Sequence, residues 1–213
     1  MKKVSMFLPT LNSIESVAVS ASKDDVAPVI TQIALTREGD SLRAIATDRY
    51  MVATGRYSEV KFTDWEDGET FLVDPKGLKT AVQMGRAVQK SVQPYTSVDI
   101  FQDDQEVAWV KVEDSTIQAS VATIKGTFPP VMKLFKRETE PNGSSMMNLR
   151  ADFLARLTKL VPPVAKPERQ RTWEFRFFTD AHSPKKPEPV HAVYGDGETY
   201  ELEALIQPSL NRK

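Results

Sequence analysis

The chain contains no cysteine, and its 213 residues include only 9 glycines and 2 histidines. Without thiolates, disulfides and a thiolate-based structural zinc site are excluded. His182 and His191 stand in the least regular stretch of the sequence and give no case for a catalytic base. Scarce glycine speaks against a phosphate-cradling loop. Gly143 stands alone, and Gly195-x-Gly197 runs into a strand-like segment where a dinucleotide fingerprint needs a helix. The acidic pairs Asp103-Asp104 and Glu66-Asp67 fall in turn-like segments, where solvated hairpin tips are expected before a metal or general-acid role. No apolar run is long enough to cross a bilayer, and the apolar part of the opening MKKVSMFLPTLNS is too short for a secretory signal. Excess charge of one sign is also missing, since 28 Lys and Arg face 29 Asp and Glu. That balance still admits nucleic acid as a partner, provided the basic surface is local. Zero cysteine fits a reducing cytosol, and a cytoplasmic location with no membrane partner is expected. The absences together describe a binding scaffold, with no enzymatic activity and no cofactor expected.

What is present is a repeated pattern, in a chain whose 40% hydrophobic and 27% charged residues suffice for a real core. The strand KKVSMFL runs into Pro9 and Thr10, and Thr10 reads as the N-cap of a helix through about Lys23, with Leu11, Ile14, Val17, Ala18 and Ala21 on its apolar face. Strands VITQIALTRE, SLRAIATD and YMVATGRYS follow. The pattern restarts with TFLV, an Asp74 N-cap and Pro75 at the first helical position. Leu78, Ala81, Val82, Gly85 and Val88 face inward on that helix, and SVDIFQ, EVAWVKVE and TIQASVATI come after it. A third round has SSMMNL, a helix from about Ala151 to Val161 with Phe153, Leu154, Leu157, Leu160 and Val161 apolar, then TWEFRFFT, PVHAVYG and TYELEALI. Proline- and lysine-rich loops, PPVAKPERQR and DAHSPKKPEP, separate the elements of this last round. The fold class is therefore α+β, three β-α-β-β-β units at intervals of roughly 65 to 75 residues. Two units make one domain, residues 1–136, and residues 137–213 make half of another.

The outer faces of the helices differ in charge. On the second, Lys76, Lys79, Gln83, Arg86 and Lys90 recur at steps of three and four with no acid among them. The third offers Arg156 and Lys159, with Asp152 near its start where an acid suits the helix dipole. The first offers Ser13, Ser16, Ser20 and Lys23, with Glu15 nearby. These are either ordinary solvated faces or, for the second helix above all, a stripe that meets phosphates without reading sequence.

One stretch, LRAIATDRYMVATGR from Leu42 to Arg56, breaks the strand pattern. Two apolar strands meet there at a charged corner, Asp48-Arg49-Tyr50, that has no glycine. Ala46-Thr47-Asp48-Arg49-Tyr50-Met51-Val52-Ala53 resembles a segment of the bacterial sliding clamp, the processivity subunit of the replicative DNA polymerase. VAPVITQIALTREGDSLRAIATD before it, FLVDPKGLKTAV, IKGTFPPVMKLF (Ile124 to Phe135) and YELEALIQP (Tyr200 to Pro208) are similar to further segments of that family, in the same order. The resemblance implies a DNA-clamp fold, with antiparallel sheets outside and helices lining a central channel. It implies double-stranded DNA as a sequence-independent partner of Lys76, Lys79, Gln83, Arg86, Lys90, Arg156 and Lys159. It also implies a pocket for peptide tails of DNA polymerase, clamp loader and other replication proteins, carried over position by position to Ile30, Thr47, Val52, Pro129, Lys133, Leu134, Leu205 and Gln207. The plainer reading makes Ile30, Val52 and Leu205 core strand residues. Two departures stand out. The family's Gly-His-Arg is here Arg49-Tyr50-Met51 and its terminal Met is Gln207, so the pocket is expected to be narrower, more polar or adapted to different peptides. The family's first domain and half of its last are also missing. Family rings use about a dozen such units, so three per chain imply a homo-tetramer, with trimer, dimer and monomer as alternatives. A reduced clamp of this kind suggests a phage or plasmid origin. The rival expectation is a clamp-like protein that binds or inhibits a host sliding clamp and never encircles DNA.

Overall fold

The computed structural model of the chain describes residues 2–89, 96–102, 108–112, 118–135, 149–161, 173–177, 188–195 and 200–208. Within them the order is β1 (Lys3–Phe7), α1 (Leu8–Val17), β2 (Ile33–Glu38), β3 (Ser41–Thr47), β4 (Met51–Tyr57), β5 (Val60–Thr63), β6 (Thr70–Val73) and α2 (Pro75–Gln89), followed by β7 (Ser97–Gln102), β8 (Ala108–Val112) and β9 (Gln118–Val121). The last round supplies α3 (Ala151–Leu160), β10 (Glu174–Arg176), β11 (Val190–Gly195) and β12 (Tyr200–Ile206). Lys90, the Asp103-Asp104 pair, His182, most of SSMMNL and most of the two proline-rich loops lie outside the described residues.

All strand pairs are antiparallel, in two sheets ordered β5-β1-β7-β8-β9 and β10-β11-β12-β4-β3-β2-β6. The first two units exchange their leading strands, β1 pairing with β7 and β6 with β2. The third unit then extends the second sheet, because β12 pairs with β4 from Tyr200↔Tyr57 to Ile206↔Met51.

Strict alternation along these strands sorts the side chains to two faces. Toward the helices point Ile33 and Leu35 of β2, Leu42, Ala44 and Ala46 of β3, Met51 and Ala53 of β4, and Ala204 and Ile206 of β12. They meet Leu11, Ile14 and Val17 of α1, Leu78, Ala81 and Val82 of α2, and Phe153, Leu157 and Leu160 of α3 in one buried cluster. Each large side chain there contributes about 1.5–3 kcal/mol by leaving water. The opposite face of the larger sheet presents Ala34, Ile45, Val52, Leu72 and Leu205, packed against Val29, Ile124, Phe128, Val131, Met132 and Phe135.

The second helix forms as its sequence indicates. Asp74 Oδ2 accepts from Gly77 N at 2.9 Å, capping the first turn just ahead of Pro75. The first helix does not. It begins at Leu8 after an N-cap at Phe7 that makes no side-chain cap, so Thr10 lies inside the helix. It ends in a 3-10 turn at Ala18–Ser20, short of Lys23. Its polar face is not an outer one, because Asn12, Ser13 and Ser20 are buried. Ser13 Oγ lies 3.1 Å from Tyr57 Oη, and Ser16 Oγ donates to the Leu160 carbonyl at 2.6 Å, so neighbours cover α1 on both sides. Burial pushes the Tyr57 phenol above its ordinary range, and the hydroxyl stays protonated in the core. Two further differences are local. Val29 and Ile30 belong to a 3-10 turn at Pro28–Thr31 and not to β2, and Leu154 of α3 is 42% exposed.

Gly77 sets how closely α2 approaches β9. A Cβ there would sit 2.8 Å from Val121 Cγ1 and 3.1 Å from Val121 Cα, and the backbone atom has little room to yield. Gly77→Ala is expected to destabilise the fold by about 1–3 kcal/mol through overpacking, despite the better helix propensity of alanine. Urea unfolding of the two proteins measures it, and an unchanged or raised midpoint would show that β9 is free to move.

Candidate functional site

The charged corner between β3 and β4 is organised by Asp48. Its Oδ1 accepts from the backbone N–H of Tyr50 at 3.0 Å and of Met51 at 2.8 Å, the bonds of an Asx turn. Asp48 N donates to the Met51 carbonyl at 3.2 Å, and Thr47 Oγ1 donates to the same carbonyl at 2.9 Å while accepting from Arg49 N at 3.2 Å. The second carboxylate oxygen, Oδ2, takes a charge-assisted bond from Arg156 Nη1 of α3. A glycine would normally serve such a turn, and Arg49 indeed holds a positive φ of 79°. Its guanidinium reaches Asp24 at 3.7 Å, an exposed pair of small value.

The sequence-predicted pocket residues separate into a floor and a rim. Thr47, Val52 and Leu205 are buried, and the two ladders place them side by side, Thr47↔Val52 and Leu205↔Val52. Ile30 is buried at the end of its 3-10 turn, where its carbonyl accepts from Ser22 N at 2.9 Å. Pro129, Lys133 and Gln207 are exposed, as is Leu134 at 53%. Gln207 is tied to the corner by its own N–H, which donates to the Tyr50 carbonyl at 3.0 Å. Reading the sequence missed the cover over this floor. Phe128, Val131, Met132 and Phe135 pack on Val52, Leu205 and their apolar neighbours, and the Phe135 ring meets His191 edge-on at 5.5 Å. His191 Nε2 in turn lies 2.7 Å from Glu203 Oε2 on β12. The apolar spacing within IKGTFPPVMKLF is the sequence signal for that cover. Tyr50, 62% exposed, is an aromatic group at the corner that was not among the expected residues.

The cations of the helices also fall into two groups. The helices stand side by side with α1 in the middle, bonded to α2 through Arg86 Nη2 donating to Asn12 Oδ1 at 2.6 Å and to α3 through Ser16. Arg156 is half-buried, whereas Arg86 is exposed although it reaches Asn12. Lys76, Lys79, Gln83 and Lys159 are exposed, and among the described residues no acid pairs with the three lysines. No group of histidine or acidic side chains among the described residues is arranged to hold a metal ion, and no helix among them is long and apolar enough to cross a membrane.

Comparison with known proteins places this geometry. The model for the central domain of the DNA polymerase III beta subunit matches residues 10–130. The beta sliding clamp of Micrococcus luteus is 38% identical over 52 residues, which are 24% of this chain and 16% of that protein. Among solved structures, the DNA polymerase sliding clamp of Pseudomonas aeruginosa superposes with a TM-score of 0.68 at 12% identity, over 97% of this chain and 65% of that one. The beta clamp of H. pylori, solved with diflunisal, gives 0.66 at 10% identity over 97% and 66%. PCNA of A. fulgidus, solved with the C-terminal region of FEN-1, gives 0.59 at 11% identity over the whole of both chains. The chain spans 65% of the length of the Pseudomonas clamp, and its alignment covers a much smaller part of the Micrococcus one.

Two substitutions probe the corner. Arg49→Gly relieves the positive φ and loses only an exposed ion pair, so stability is expected to rise by about 1 kcal/mol. Asp48→Asn keeps an acceptor for the turn but removes the charge facing Arg156, and is expected to lose about 1–3 kcal/mol. Chemical unfolding of both variants decides, and a change of the opposite sign in either would refute the corresponding role.

Proposed function

This chain belongs to the DNA polymerase III beta subunit family, and from that membership we propose that it works as a sliding clamp, a non-enzymatic tether that encircles duplex DNA and docks replication proteins. The observation that carries the reading is the single row of helices α2-α1-α3, packed on one side of the sheets with Lys76, Lys79, Gln83 and Lys159 turned outward from α2 and α3. Such a row supports an inner wall that meets phosphates through screened, interchangeable attraction. Residues 1–136 are read as a complete clamp domain and residues 137–213 as half of one. Half-domains of two chains would complete each other, and four chains would reach the usual number of units. Peptide tails of a DNA polymerase, or of a clamp loader, would enter at the floor of Thr47, Val52 and Leu205 between Tyr50, Leu134, Lys133 and Gln207. Phe128, Val131 and Met132 cover that floor and would move aside to admit a peptide. The place of action would be the DNA-containing cytoplasm.

A closed tether is held by topology, so the protein should be retained on nicked circular plasmid and lost when the plasmid is linearised. Equal loss from both forms, or a monomer at high micromolar concentration, would sink the proposal. A stable complex with another organism's clamp and no retention on circles would point to a clamp-binding role. The double variant Lys76→Ala, Lys79→Ala should lower the dependence of log K on log salt by roughly 2, about 1 for each phosphate left without its lysine. Measuring the affinity for duplex of mixed sequence at several salt concentrations tests this, and an unchanged slope would remove α2 from the DNA-facing wall.

A further inference from the structure

The sheets follow two pairing rules. The first strand after a unit's helix pairs with the strand before the helix of its sister unit, β2 with β6 and β7 with β1. The third strand after a helix pairs with another third strand, β4 with β12. Among the described residues four strands end the sheets, β5 and β9 in one and β10 and β6 in the other; of these β10 is the first strand and β9 the third strand after a unit's helix.

Exposed sheet edges are ordinarily blunted by charge, proline or a bulge, because half of their N–H and C=O groups remain unpaired. Gln118, Ala119, Ser120 and Val121 include neither charge nor proline. The strand is held in place by its ladder to β8 and by Val121 lying tightly against Gly77 of α2. By contrast β10 carries Glu174 and Arg176, bonded to each other at 2.8 Å.

We infer that β9 pairs antiparallel with β9 of a second copy of the chain, across a two-fold axis normal to the sheet. The pairing rule selects this occupant, since a third strand meets a third strand in the one seam between non-sister units that the structure shows. Composition agrees, because self-pairing about a two-fold axis sets no like charges opposite each other. A head-to-tail joint of β9 to β10 would match a third strand to a first strand of a non-sister unit, a combination absent among the described pairs.

The consequence rests on the clamp reading and adds to it. A two-fold axis normal to the sheet turns the second copy upside down. In an assembly built from this 213-residue chain alone, with the third units also meeting in like pairs, joints of two isologous kinds alternate. The number of chains is then even, and the Thr47, Val52 and Leu205 site faces up on one copy and down on the next. Partners would dock on both rims of such a ring.

The absence of cysteine makes the test clean. Gln118→Cys, Ala119→Cys and Ser120→Cys are oxidised one at a time. A residue next to a two-fold axis meets its own copy, so at least one variant should give a disulfide-linked dimer, while Lys61→Cys on the opposite edge of the same sheet should not. Neighbouring residues of a strand point their N–H groups to opposite sides. Of Ala119→Pro and Ser120→Pro, one therefore leaves the β8 ladder intact, and that variant should keep its circular dichroism and halve the native mass. An odd number of chains, undiminished mass in a folded proline variant, or no cross-link at any of the three positions would overturn β9 self-pairing. The two readings fail separately. A trimer still retained on circular DNA would refute the pairing and leave the tether, whereas an even, cross-linkable assembly released equally from circles and linear DNA would refute the tether and leave the pairing.

Discussion

The ladder between β4 and β12 joins residues 51–57 to residues 200–206, and both sides of the larger sheet depend on it. Bringing together segments so far apart costs loop-closure entropy that grows only slowly with separation, on the order of a few kcal/mol. Burial on the helix side offsets it, where Ala204 and Ile206 join Met51 and Ala53 beneath the helices. The same ladder sets Leu205 beside Val52 on the opposite side, so the apolar floor exists only while the two strands are in register. A slip of one residue would exchange the faces, turning Ala204 and Ile206 outward and Leu205 inward. The floor of the candidate site and the core of the third unit are thus two faces of one register.

Asp48 extends that dependence to the helices. One carboxylate oxygen closes the turn that ends β3, and the other binds Arg156, which α3 can present only because α3 packs on the same sheet. The corner is consequently fixed from three directions: by its own backbone, by α3 and by the Gln207 amide following β12. Such over-determination lets Arg49 occupy a backbone conformation that glycine would hold without strain. It also answers the question raised by a charged turn between apolar strands. The charge is internal to the joint, and the apolar flanks supply the floor.

Legibility in the sequence followed the range of the interactions. The start of α2 was readable because Asp74, Pro75 and the first-turn amide they serve lie within a few positions of one another. The strands β3, β4, β11 and β12 were readable because alternation is local. The face of α1 was not. Ser13 and Ser16 look like solvent-facing residues until Tyr57 and the Leu160 carbonyl, distant in sequence, bond to them. The floor positions Thr47, Val52 and Leu205 came from resemblance, and their adjacency needed the ladders. The cover formed by Val131 and Met132 had a local apolar pattern, but nothing local says that it lies on the outer face of a sheet. β5 is a similar case. Val60-Lys61-Phe62-Thr63 alternates, yet it is too short to be assigned from sequence, and only its pairing with β1 marks it as a strand.

The division of labour between arginine and lysine follows the chemistry of their head groups. Arg86, itself exposed, and the half-buried Arg156 hold fixed partners, Asn12 and Asp48, where a planar fork with directed donors keeps two elements in one orientation. Lys76, Lys79 and Lys159 stand exposed as compact, hydrated point charges on flexible stems. A wall that must hold a duplex and still let it move gains from contacts that are weak, equivalent and undirected, because a bidentate arginine–phosphate pair would deepen each well along the path. Lysine at the unpaired positions and arginine at the paired ones fit the proposed wall, on which DNA would be retained without being gripped.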